Sequence, residues 1–162
     1  MAVLQPMGES IGALLKERGE TVSVSESSAG GLISASLLSV PGASTYFLGG
    51  AVVYTGASRL GLLRITPDDV KDMTPGTEPY SGIMATKIRE IHGTTWSLSE
   101  TGAAGPTGSR YGHAAGHACI VVKGPVERTI IVETGSNDRE ANMFAFAQKA
   151  LDLLESCIRE AE

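Results

Sequence analysis

The chain has 162 residues, of which 42% are hydrophobic and 19% charged, and its net charge is −5. That length and balance specify one folded domain and exclude disorder. An acidic, evenly mixed surface argues against a nucleic-acid partner, and no apolar run approaches the ~20 residues of a membrane span. Glycine is in excess, 20 residues or about 12% against a usual ~7%, without the period of collagen.

In chain order, residues 7–18 predict a helix, with Ile11, Leu14, Leu15 and Arg18 at helical spacing and Gly19 as its stop. Thr21–Ser25 alternates β-branched residues with serine, as a strand does. Ser27–Gly31 is a small-residue turn, and Leu32–Val40 a buried helix closed by Pro41-Gly42. Phe47–Tyr54 is a second strand around Gly49-Gly50, and Gly56–Leu63 a short helix. Thr66-Pro67-Asp68-Asp69 has the form of a helix start. Residues 78–91 form a longer helix, and Thr94–Thr101 a third strand. A loop, Gly102–Gly116, leads to two strands, His117–Val122 and Arg128–Thr134, whose short link makes them antiparallel. A last helix from Asn137 or Asp138 carries Ala141, Phe144, Ala147, Leu151, Leu154 and Ile158 on one face. Phe146 falls about 200° from Phe144, so it is expected to be exposed and to mark a subunit contact. The alternation of elements gives an α/β fold.

Three segments lie at strand ends, where open α/β sheets gather ligands. Glu26-Ser27-Ser28-Ala29-Gly30-Gly31 joins a strand to a helix, so Ser27 reads either as a helix cap or as a nucleophile beside free backbone N–H groups. Gly102-Ala103-Ala104-Gly105-Pro106-Thr107-Gly108 reads as a flexible connector or as backbone shaped to approach an anion. Tyr54-Thr55-Gly56-Ala57-Ser58-Arg59 sets a phenol and a guanidinium at another strand end. Cys119 and Cys157 lack metal spacing and read as free thiols. Met1–Glu9 lacks a basic region followed by an apolar run, so no secretory signal and a cytoplasmic location are expected.

Together these segments resemble the C-terminal domain of the CinA (competence/damage-inducible) family, the nicotinamide-nucleotide amidohydrolases. The resemblance is carried, in family order, by Glu26–Gly31, Gly49-Gly50-Ala51-Val52-Val53-Tyr54, Thr77-Glu78-Pro79, Gly102–Gly108, and Gly135 with Arg139. It implies a single domain with a three-layer α/β/α sandwich and a mixed, mostly parallel sheet. It also implies hydrolysis of the carboxamide of nicotinamide mononucleotide, without metal or cofactor. Ser27 would be the acylated nucleophile and Tyr54 its proton-transfer or orienting neighbour. Glu26, Ser28, Gly30, Gly31, Gly102, Ala104, Gly105, Gly108 and Arg139 are the implied ligand contacts.

The family's lysine falls on Arg59, its threonine on Ala29, its asparagine on Gly56 and its serine on Thr77. Arginine stays protonated, so Arg59 cannot serve as base for Ser27, although it can hold a carboxylate or phosphate. Two functions are therefore expected. One is an altered amidohydrolase in which Tyr54, His113 or His117 is the base. The other is a paralogue that binds a nucleotide-like anion or acts through assembly. The expected partners are a small nucleotide ligand and further copies of the chain, with neither nucleic acid nor membrane. No metal site is expected, since His113 and His117 run from a loop into a strand without acidic partners at fixed spacing.

Overall fold

The computed structural model describes residues 1–161. Five strands form one sheet: β1 (Val22–Glu26), β2 (Phe47–Val52), β3 (Trp96–Ala103), β4 (His117–Lys123) and β5 (Arg128–Glu133). Their order is β2-β1-β3-β4-β5. β1 is parallel to β2 and β3, while β3–β4 and β4–β5 are antiparallel. Only β4 is therefore reversed, and the sheet is mixed and mostly parallel. Helices α1 (Leu4–Arg18), α2 (Leu32–Leu38) and α5 (Arg139–Glu160) pack on one face. α4 (Glu78–His92) covers the other, with α3 (Gly56–Leu63) beside it. The three layers are those expected from the sequence.

The alternation in β1 and β3 explains the layering. Val22, Val24, Trp96 and Leu98 join the main core together with α1, α2 and α5. The intervening serines face α4. The Ser23 hydroxyl donates to the Ile88 carbonyl at 3.2 Å and that of Ser97 to Ala85 at 2.7 Å. Small side chains let α4 approach closely, and the helix carbonyls satisfy their buried hydroxyls.

Several expectations shift. α1 starts at Leu4 rather than at residue 7. The helix start at Thr66 is a single 3-10 turn, Asp68–Val70, with the Asp69 carboxylate accepting the Thr66 N–H and hydroxyl at 2.8 and 2.9 Å. β3 continues through Gly102 and Ala103, which pair with Ala118 and His117, so the loop before β4 is shorter. Phe146 is fully buried, and it marks no subunit contact. α5 packs against α1, α2 and the sheet together, so more than one stripe of it is covered.

Candidate functional site

β1, β2 and β3 run in parallel and end on one edge of the sheet, where the loops carrying Ser27, Tyr54 and Gly102–Gly108 meet. The turn after β1 passes through Gly30 and Gly31 at φ 66° and 98°, which favour residues without a Cβ. Two buried carboxylates hold this turn. Glu26 accepts the N–H groups of Gly31, Ile33 and Ser34 at 3.1, 2.9 and 2.8 Å. Glu100, within β3, accepts the Ser27 and Ala29 N–H groups on one oxygen at 3.0 and 2.9 Å. Its other oxygen accepts the Ser28 hydroxyl at 3.0 Å. Burial pushes the Glu100 carboxyl above the ordinary 4.5; hydrogen bonds from Ala29, Ser27 and Ser28 oppose the shift, and neighbouring Glu26 adds to it.

These carboxylates alter the role of the helix start. Gly30 and Leu32 donate within the turn, to Ser27 and Ala29 carbonyls. Of the N–H groups from Ser27 to Ser34, only that of Ser28 lacks an acceptor among the described residues. Gly30-Gly31 therefore shapes the turn with its N–H groups already bonded inside the protein, and Glu26 caps α2.

The cleft has two lobes. The larger, about 520 Å³, is bounded by Ser27, Tyr54, Arg59 and Gly102. Tyr80, Arg110 and Tyr111 also line it and were not foreseen. The smaller, about 220 Å³, is bounded by Ser28, Tyr54, Gly102, Ala104, Gly105, Gly108 and Arg139. Tyr54 and Gly102 belong to both lobes. Tyr54 is 58% exposed, and its hydroxyl accepts from Arg139 Nη2 at 3.0 Å. Arg139 Nη1 donates to the Gly105 carbonyl, which anchors the glycine loop to α5. Arg59 Nη1 donates to the Tyr80 hydroxyl at 2.9 Å. A hollow of about 560 Å³ beside α4 and β4 is no smaller, but none of the three strand-end segments lines it. The site is assigned by chemistry, not by volume.

His113 and His117 line neither lobe. Their rings stack with centroids 3.9 Å apart. His117 Nε2 donates to the Gly76 carbonyl at 2.7 Å, and Nδ1 meets the Glu133 carboxylate. The pair fastens the loop after β3 to the segment before α4. Among the described residues, no group of three or more His, Cys, Asp or Glu is placed to hold a metal ion. Nor is any described helix long and apolar enough to cross a membrane.

The CinA C-terminal domain family model matches residues 4–158. The chain belongs to the CinA family. A CinA-like protein of Sulfurihydrogenibium sp. is 34% identical over 148 residues, which cover 91% of this chain and 37% of that protein. One of Trichormus variabilis is 35% identical over 147 residues, covering 89% and 35%. The CinA domain described here thus spans little more than a third of these relatives. Its fold recurs in a CinA superfamily protein of Klebsiella pneumoniae 700603, with a TM-score of 0.89, 20% identity, and 97% and 98% of the two chains covered. A competence or damage-inducible protein of Enterobacter asburiae gives 0.88, 23%, 96% and 98%.

Proposed function

We propose that this CinA-family domain binds a nucleotide-like anion in the two-lobed cleft. One observation carries the proposal. Arg59, Arg110 and Arg139 all line the cleft, no Asp or Glu does, and none of the three forms an ion pair among the described residues. On a chain of net charge −5, that is a local concentration of unneutralised cations. Guanidinium groups facing a common hollow are relieved by a bound anion. The family resemblance directs the choice of anion to a pyridine mononucleotide.

A second reading, hydrolysis of an amide by Ser27, is favoured by the Arg139–Tyr54 hydrogen bond. The Arg139 guanidinium fixes the Tyr54 hydroxyl in the lobe that Ser27 lines, where a serine nucleophile needs a proton-transfer partner. Among the described residues no Lys, His, Asp or Glu lines the cleft to do the same work.

Calorimetric titration with nicotinamide mononucleotide and adenosine monophosphate, with ammonia release followed in parallel, separates the two. Binding without ammonia is the expected result. Ammonia release that disappears in Ser27→Ala establishes the hydrolase in its place. Absence of binding by every mononucleotide tried overturns the proposal.

A further inference from the structure

The outer face of α4 lies open. Glu78, Pro79 and Thr86 are exposed along it, with Gly82 and Ile83 partly buried between them. The hollow of about 560 Å³ follows this face and reaches Val121 of β4 and Thr129 of β5. Beside it β5 is uncovered. Ile131 pairs with Cys119, which packs on Ala85 of α4, so Ile131 points to the α4 side, and it is 54% exposed.

Gly82 sits in the interior of α4, where glycine weakens a helix. Nothing within the domain requires it. Its φ is not positive, and an added Cβ would meet nothing within 4 Å. Two charges bracket it. From Glu78 to Lys87 is nine residues, about two and a half turns and 13.5 Å, so the two stand at opposite ends and on opposite flanks of one face. Their midpoint falls between Gly82 and Ile83. Glu78 forms no ion pair among the described residues, and Lys87 has only Glu90 at 3.7 Å, an exposed pair that is readily exchanged. Of the charged residues around the hollow, Asp69 and Glu78 are acidic and Lys87 and Lys123 basic. The face is thus locally neutral on a chain of net charge −5, where copies meeting elsewhere would repel.

We infer that this face of α4 binds the same face of a second copy, antiparallel, in a two-fold dimer. An axis normal to the face at the Gly82–Ile83 midpoint exchanges ends and flanks together. It sets Glu78 of each copy over Lys87 of the other. It also seats Ile83 of each copy in the space that Gly82 of the other leaves, and brings Pro79 against Thr86. The pattern is complementary to itself, which an unrelated partner would not need. The inference stands apart from the anion-binding reading of the cleft.

Sedimentation velocity of the intact chain over a concentration series tests it. A species of twice 16.8 kDa is expected. Glu78→Lys or Lys87→Glu alone sets like charges at both crossings and should weaken the dimer at least about tenfold. The double variant, Glu78→Lys with Lys87→Glu, restores opposite charges and should recover most of the affinity. Gly82→Gln fills the space for Ile83 and should leave a monomer, with melting curves showing that it folds. A wild type that stays monomeric, a double variant that dissociates as far as the single ones, or a folded Gly82→Gln that still dimerises overturns the inference. In a larger assembly the same charge pattern decides.

Discussion

Glu100 is the residue on which the Ser27 turn depends. Replacing it with alanine orphans the Ser27 and Ala29 N–H groups in the interior and opens a cavity. Glu100→Ala is therefore expected to cost about 2–5 kcal/mol, read from the urea midpoint. Glu100→Gln is expected to be mild. Its amide oxygen can accept both N–H groups while its NH₂ donates to the Ser28 hydroxyl, as a protonated carboxyl does. The sign of the pH dependence follows from burial. Glu100 holds its proton more tightly when folded, so its contribution is full below about 4.5 and declines as pH rises through the folded value. Stability of the wild type relative to Glu100→Gln should fall as pH rises above that point. Parallel profiles for the two proteins would remove Glu100 as the cause. Ser27, Tyr54 and Arg59 were legible because each sits in a strand-end motif, and one cleft collects all three. Glu100 was not, although a lone acid in the buried run Trp96-Ser97-Leu98-Ser99-Glu100-Thr101 was the available signal. Local sequence did not tell that its carboxylate reaches across to the turn after β1. Tyr80, Arg110 and Tyr111 lie outside the quoted motifs, and only the chain's path brings them to the cleft.

Between elements, α1 and α2 meet at Gly8. A Cβ built there would lie 2.2 Å from the Ser36 backbone oxygen, and backbone cannot swing aside as a side chain can. In a helix interior glycine-to-alanine normally gains about 0.5–1 kcal/mol, since alanine loses less entropy on folding. At Gly8 the clash reverses the sign, and Gly8→Ala should destabilise by about 1–3 kcal/mol, within the range for overpacking. Gly61, in α3, has nothing within 4 Å of an added Cβ, so Gly61→Ala should show the ordinary gain. Thermal melts of the two variants, run together, check the pair. A loss of stability in both, or a gain in both, contradicts this account of the α1–α2 contact. Periodicity located every helix that packs a single stripe. It failed for Phe146 because α5 is enclosed by two helices and a sheet, and a one-stripe rule assigns such a helix's flank to solvent. At Thr66 the capping signal was real, but the apolar turns needed to extend a helix do not follow it.

The two thiols report on the domain as a whole, because each lies in a different layer. Cys119 is buried on β4 with Ala85 and Val121, on the α4 side of the sheet. Cys157 lies on α5 within the main core. Burial pushes the Cys119 thiol up to about 11, with Glu78 adding to the shift and Ser81 opposing it, and burial also raises Cys157. Few thiolates therefore exist at pH 8, and neither sulfur is accessible, so a disulfide reagent should leave the native protein unlabelled. With added urea, labelling requires opening of the layer that covers each thiol. Trp96 and Leu98 of β3 lie in the main core, while Ser97 and Ser99 of the same strand bond to α4 residues Ala85 and Ser81. One strand thus serves both layers, and neither can open while the other keeps that strand in place. Both cysteines should then label at one midpoint, matching the loss of tryptophan fluorescence from the single buried Trp96. Labelling of Cys119 well below the midpoint for Cys157 would mean that α4 detaches alone, and since Arg59 is held by Tyr80 of α4, the cleft would come apart with it.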